Sequence, residues 1–238
     1  MEKALMPLAD VENGSIYYEV TGQGRWVVLI HGAWAHHGWW RCQIPELSKK
    51  YKVLALDVRR HGKSTKLARP YSVEGFTRDL ESLFQKAGVN EIVLMGWSMG
   101  GIISMQYCMD HPHRVKGMVL VATRARKNPR FKWRLRIMQL QARISLFMDF
   151  ADFDGFDYTR RLETEVSSMM APSTPREIVD WAIQDLKDNP RENFTQVAKS
   201  LWDWEAEERL STIQVPTLIL VGRNDYQTPR NCLNTSIP

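Results

Sequence analysis

A strand that passes into a helix across a single serine is the tightest constraint in this sequence. Ile92-Val93-Leu94-Met95-Gly96 is an apolar run that reads as a buried strand, and residues 99–109 read as a helix that starts at once. No linker remains around Gly96-Trp97-Ser98-Met99-Gly100-Gly101. Small residues two before and two after a serine permit a very sharp strand-to-helix turn. Such a turn lifts the hydroxyl out of the sheet and aims the next backbone N–H groups at the same point. The plainer alternative is a tight turn whose serine caps the helix through its side chain.

The rest of the chain fits that turn into a sheet. Residues 26–30, 52–57 and 117–122 are further short apolar runs, as expected of strands covered on both faces. Asn13-Gly14 is a strong turn pair, so the opening reads as a hairpin. Residues 39–50 read as a short helix that Pro45 breaks into two turns. Val73, Phe76, Leu80, Leu83, Phe84 and Ala87 share one helical face, and Gly88 with Asn90 stops that helix. Strand and helix alternate four times, the signature of an α/β fold with a mostly parallel sheet and helices on both faces. The rhythm then breaks. Residues 133–147, 158–170, 175–187 and 191–203 read as helices, with Pro175 in a first turn behind Thr174 as cap. Residues 215–222 restore the sheet pattern. The expected organisation is a core over 1–124, a helical cap over 125–210 and a second, incomplete part of the core over 211–238.

Composition removes several function classes. Three scattered cysteines, Cys42, Cys108 and Cys232, exclude a disulfide scaffold and a thiolate zinc cluster. No His/Asp/Cys set has metal-ligand spacing, so neither metal nor organic cofactor is expected. The start lacks a secretory leader and no run approaches a spanning helix, so a cytoplasmic, non-membrane protein is expected. The net charge of +5 is local. Arg124, Arg126, Lys127, Arg130, Lys132, Arg134 and Arg136 carry seven positive charges, and without them the count is 25 minus 27, or −2. With no basic tail or aromatic–basic pattern beside it, nucleic acid is not expected as a partner.

A serine hydroxyl needs a base, a group that orients the base, and donors aimed at the developing oxyanion. By position the Met99 amide is one donor. The second comes from the loop His31-Gly32-Ala33-Trp34, where the Ala33 amide is the candidate and His31 shapes the loop. Two aspartates end strands. Asp57 reads as tying down its own loop through main-chain amides, and Asp225 reads as the orienting acid. Trp34, His37 and Trp97 are pocket candidates by chain position, and Phe147 and Met148 by their place in the cap. The pocket is expected to be apolar and to suit a small to medium acyl or aromatic ester.

Four segments, His31 to Trp34, Asp57 to Ser64, Gly96 to Gly101 and Gly222 to Pro229, carry a resemblance in order and spacing as well as in letters. The sequence resembles the α/β-hydrolase superfamily, of the esterase, haloperoxidase-like and carboxylesterase type with a helical cap. The resemblance implies Ser98 as nucleophile, Asp225 as triad acid, and the Ala33 and Met99 amides as oxyanion hole. It also implies ester hydrolysis through an acyl-enzyme, with thioester, amide, perhydrolytic and carbon–carbon cleavage as related chemistries. Some members act on acyl groups held by a small acidic carrier, a partner that the residues from Arg124 to Arg136 could dock. The remaining alternative is a non-catalytic small-molecule binder on the same fold.

One departure from the family pattern is large. The family's catalytic base is a histidine on a loop after one more strand, whereas no histidine here follows His113. The base is therefore expected beyond Pro238, with the last strand and helix of the fold absent. Three explanations compete: a fragment, a natural product with another role, or a substitute base at His36 or His37. A chain lacking the base is expected to be inactive or weak, and its bare sheet edge to pair with another chain.

Overall fold

The computed structural model describes residues 8–12, 14–64, 71–125, 170–187 and 204–223, together with positions 163, 166, 167, 197, 200, 201 and 225. The hairpin is β1 (Leu8–Val11) and β2 (Gly14–Thr21), antiparallel with Val11 opposite Gly14. Next to β2, also antiparallel, lies β4 (Lys52–Leu56). From there the sheet is parallel through β3 (Trp26–Ile30), β5 (Ile92–Trp97), β6 (Val115–Val121) and β7 (Thr217–Leu220), in the order β1-β2-β4-β3-β5-β6-β7. Parallel pairing sends the carboxyl ends of β3 to β7 to one rim, where the loops that carry chemistry gather.

Apolar side chains on both sides of the central strands explain why they are buried on both faces. On one face Val28, Ile30, Leu54, Leu56 and Leu94 meet α2 (Val73–Ala87) and α3 (Met99–Asp110). On the other, Val27, Leu29, Val53 and Ala55 meet Trp40 and α1 (Ile44–Leu47). The segment after β3 does form two short turns, a 3₁₀ turn at His37–Trp40 and the single turn of α1, but the break falls at residues 41–43 and Pro45 sits in the first turn of α1 rather than at the break. Ser72 caps α2 by accepting the Gly75 amide at 3.0 Å, and Gly88, at φ 66°, ends it.

The inserted helical region between β6 and β7 contributes α4 (Arg176–Lys187), whose apolar side packs on Trp34 and Trp39 of the rim loops. Pro175 stands just before α4 rather than inside it, its carbonyl accepting the Ile178 amide at 3.0 Å. The expected helix over 133–147, and with it Phe147 and Met148, lies outside the described residues. So does most of 158–170 and of 191–203. Among the described residues β7 has one strand neighbour, and Leu218 and Leu220 on it are exposed. Among the described residues no helix is long and apolar enough to cross a membrane.

Candidate active site

Ser98 occupies the one-residue turn between β5 and α3 with φ 52° and ψ −111°. A non-glycine residue held there costs about 1–3 kcal/mol and persists only where its surroundings enforce it. They do so through the backbone. The Ser98 amide donates to the Val121 carbonyl at 2.8 Å. Its carbonyl accepts the Thr123 hydroxyl at 2.7 Å and the Gly101 amide at 3.0 Å. Close packing completes the clamp: a Cβ at position 96 would meet the Gly100 carbonyl oxygen at 2.3 Å, and one at position 100 the Ile30 oxygen at 2.0 Å. The Ser98 side chain makes no capping hydrogen bond to α3. The amide ends of α3 instead present the positive pole of the helix beside the hydroxyl.

Neither the Met99 nor the Ala33 amide meets a hydrogen-bond acceptor among the described residues. The Ala33 loop is shaped by His31, which is fully buried. Its Nε2 accepts the Val58 amide at 2.9 Å, so Nδ1 carries the proton and donates to the Gly32 carbonyl at 2.7 Å. Burial, reinforced by the nearby His61, lowers His31 to a pKa of about 3. It is a neutral fixture of the loop.

Asp57 reaches further than its own loop. Oδ2 accepts the Lys63 amide at 2.8 Å, while Oδ1 accepts the His37 amide at 2.6 Å and His37 Nδ1 at 2.7 Å. Because β3 and β4 are parallel neighbours, one carboxylate ties together the loops that leave both. Burial pushes this carboxyl up, but the His37 hydrogen bond and the two amides bring it below its ordinary value. His37 then directs Nε2 to Glu19, 3.3 Å away, and lays its ring on Tyr17. Asp225 lies beyond the carboxyl end of β7, on the rim that carries Ser98, with its amide donating to the Gly222 carbonyl at 3.1 Å.

Trp97 packs its ring over Gly32 and stacks on Trp39, centroids 5.3 Å apart. Trp34, at φ 67°, joins Trp39 against the apolar side of α4. Arg124, first of the basic run, donates to the Leu201 carbonyl at 2.6 Å, and the run's other members lie outside the described residues. His36, His37 and Asp57 bring one donor atom each within 4.8 Å, a spacing a metal ion could use. Hydrogen bonds already occupy His36 Nδ1, to the Gly38 amide, His36 Nε2, to Asp185, His37 Nδ1 and both Asp57 oxygens, while His37 Nε2 faces Glu19. Sequence reasoning missed the residue that holds His36, since Asp185 is one of many acids on a helix whose partner loop lies about 150 positions away. The available signal was adjacency, because a cap helix must rest on the loop after β3.

Residues 25–230 match the profile of a family described as the alpha/beta hydrolase fold. The chain belongs to that family. Among curated proteins it is 29% identical to the pimeloyl-[acyl-carrier protein] methyl ester esterase of Chromobacterium violaceum, over 90% of this chain and 82% of that protein. Among solved structures it superposes on a hydrolase from Pseudomonas aeruginosa with TM-score 0.82 at 21% identity, covering 98% of this chain and 85% of that one. An esterase from Thermogutta terrifontis gives TM-score 0.80 at 25% identity, covering 95% and 82%.

Proposed function

We propose that this α/β hydrolase is a serine esterase that cleaves small to medium carboxylic esters through an acyl-enzyme. The observation that carries the reading is Ser98 at φ 52° between strand and helix, with a side chain that makes no cap. In the first half-reaction Ser98 Oγ bonds to the substrate carbonyl carbon as its proton passes to a base. The oxyanion sits on the Ala33 and Met99 amides, and the alcohol leaves with the base's proton. In the second half water replaces the alcohol and the acid departs, restoring Ser98. Asp225 is the orienting acid.

The six histidines are all engaged or remote. His31 and His61 are buried, His36 and His37 are bonded to Asp185 and Asp57, and His111 and His113 sit past the far end of α3. That helix of 12 residues puts about 18 Å between them and Ser98. The proton acceptor in this reading is taken to be a group other than these six, and added imidazole should stand in for it. The test is labelling by a fluorophosphonate. Ser98 should label slowly, faster with imidazole, and not at all in Ser98→Ala. Absence of labelling at saturating imidazole would remove the nucleophile from the account.

The placement of the histidines favours one second reading, a small-molecule binder on this fold. It requires ligand affinity that survives Ser98→Ala in a protein that never labels. Docking of an acidic acyl carrier on the basic run belongs to the first reading, supported by the carrier-linked substrate in the name of the Chromobacterium violaceum relative. Neutralising Arg130, Lys132, Arg134 and Arg136 should then raise KM for a carrier-linked ester far more than for a small neutral one. Self-association would use the exposed edge of β7.

A further inference from the structure

Asp185, in the last turns of α4, holds two donors from the same stretch of the opposing loop. Its Oδ1 takes His36 Nε2 at 2.6 Å and its Oδ2 takes the Trp39 indole Nε1 at 2.7 Å. Because His36 Nδ1 accepts the Gly38 amide, Nε2 is the ring nitrogen that carries the proton toward Asp185. Trp39 is the centre of an aromatic column. Its ring stacks on Trp97, the residue before Ser98, at 5.3 Å, and meets Trp181 of α4 at 5.1 Å. The Arg41 guanidinium closes the far end over Trp181 at 3.9 Å. A carboxylate on the cap therefore fixes, through one indole, a wall that runs from the cap to the residue beside the nucleophile. It also fastens the cap to the loop that begins with the Ala33 amide.

We propose that Asp185 is a positioning residue that locks α4 onto the 36–39 turn, and that the Trp39–Trp181 wall it holds sets which acyl groups fit beside Ser98. The second half of this inference rests on the reading of Ser98 as an esterase nucleophile, and the first half does not. Two hydrogen bonds to one carboxylate anchor the contact, since bonds to charged groups are the stronger kind. Rotation of Trp39 is what loss of the contact would allow. With the Nε1–H released, the ring keeps only its stacking and apolar contacts, which fix its rotation less tightly.

The experiment uses the full 238-residue chain. Amide hydrogen exchange over residues 176–187 is measured in the wild type, Asp185→Asn, Trp39→Phe and the double variant. Asparagine turns one of the two accepting oxygens into an NH2 donor that faces an N–H, while phenylalanine keeps a stacked ring and loses the N–H. Each single change should speed exchange in α4 by about tenfold, with β3 to β5 unchanged. The double variant should be no faster than the quicker single. Unchanged exchange, or single effects that multiply, would overturn the lock whatever the enzyme does. KM and kcat for acetyl and octanoyl 4-nitrophenyl esters then read the wall. Asp185→Asn should shift KM for the octanoyl ester about tenfold, with the acetyl ester and both kcat values near wild type. Equal shifts for both esters would overturn the specificity role. Wild-type failure to turn over either ester, even with imidazole, would remove that role together with the esterase reading and leave the lock to the exchange result.

Discussion

Gly100→Ala tests the turn at Ser98 without relying on activity. The added Cβ would lie 2.0 Å from the Ile30 oxygen, 2.6 Å from its carbonyl carbon and 2.9 Å from the His31 oxygen. Ordinary contact begins at 3.4 Å, so the end of β3 and the start of α3 would have to separate by more than an ångström. The obstructing atoms are backbone, and no rotamer change relieves them. Overpacking of a core costs about 1–3 kcal/mol when side chains can adjust. A main-chain obstacle in a strand paired on both sides places this substitution at or above the upper end, about 3 kcal/mol, against a typical total of 5–15 kcal/mol. Gly88→Ala is the control. Unlike Gly100, which is helical, that residue is left-handed, at φ 66°, and nothing lies within 4 Å of its Cβ position. It should lose only the conformational cost of about 1–2 kcal/mol. Urea unfolding followed by tryptophan fluorescence gives both values. A Gly100→Ala midpoint equal to or above that of Gly88→Ala would refute the close approach of α3 to β3, and with it the turn geometry on which the site depends.

Other outcomes follow from the same contacts. Because folding lowers His31 from 6.5 to about 3, the unfolded chain binds a proton that the native state refuses. Stability should be unaffected by this group above pH 6.5 and should fall by about 1.4 kcal/mol per unit as the pH drops from there toward 3. His61, also lowered by burial, steepens the slope, and His31→Gln should flatten it in pH-dependent melts. Asp79→Ala strands the largely buried Arg59 guanidinium that it binds through two oxygens, at a cost of about 3 kcal/mol by denaturant titration. Glu46→Ala, which breaks only the exposed pair with Lys49, should change stability by less than about 1 kcal/mol. Thr123→Val removes the hydroxyl that holds the Ser98 carbonyl and should lower stability by about 1 kcal/mol while slowing Ser98 labelling.

The strands, the hairpin, α2 and the serine turn were legible because their signals are local: apolar runs, Asn13-Gly14, a helical stripe, and glycines around one serine. His31 as a loop fixture was legible from its position after β3. Asp57 was read in half. Its bond to the Lys63 amide belongs to its own loop, but its hold on His37 depends on β3 and β4 being neighbours, which no local pattern states. Asp185 was illegible for the same reason at longer range. Trp39 and Trp181 look like packing residues in a chain with nine tryptophans, and their pairing exists only once α4 lies on the loop.

The common direction of β3 to β7 has a practical consequence. Glu91 and Lys116, paired at 3.0 Å and exposed, precede β5 and begin β6 at the rim opposite Ser98. The six residues of β5 put about 20 Å between the two rims. A resin, dye or gold surface joined at either position would leave the serine and the tryptophan column on the rim turned away from it.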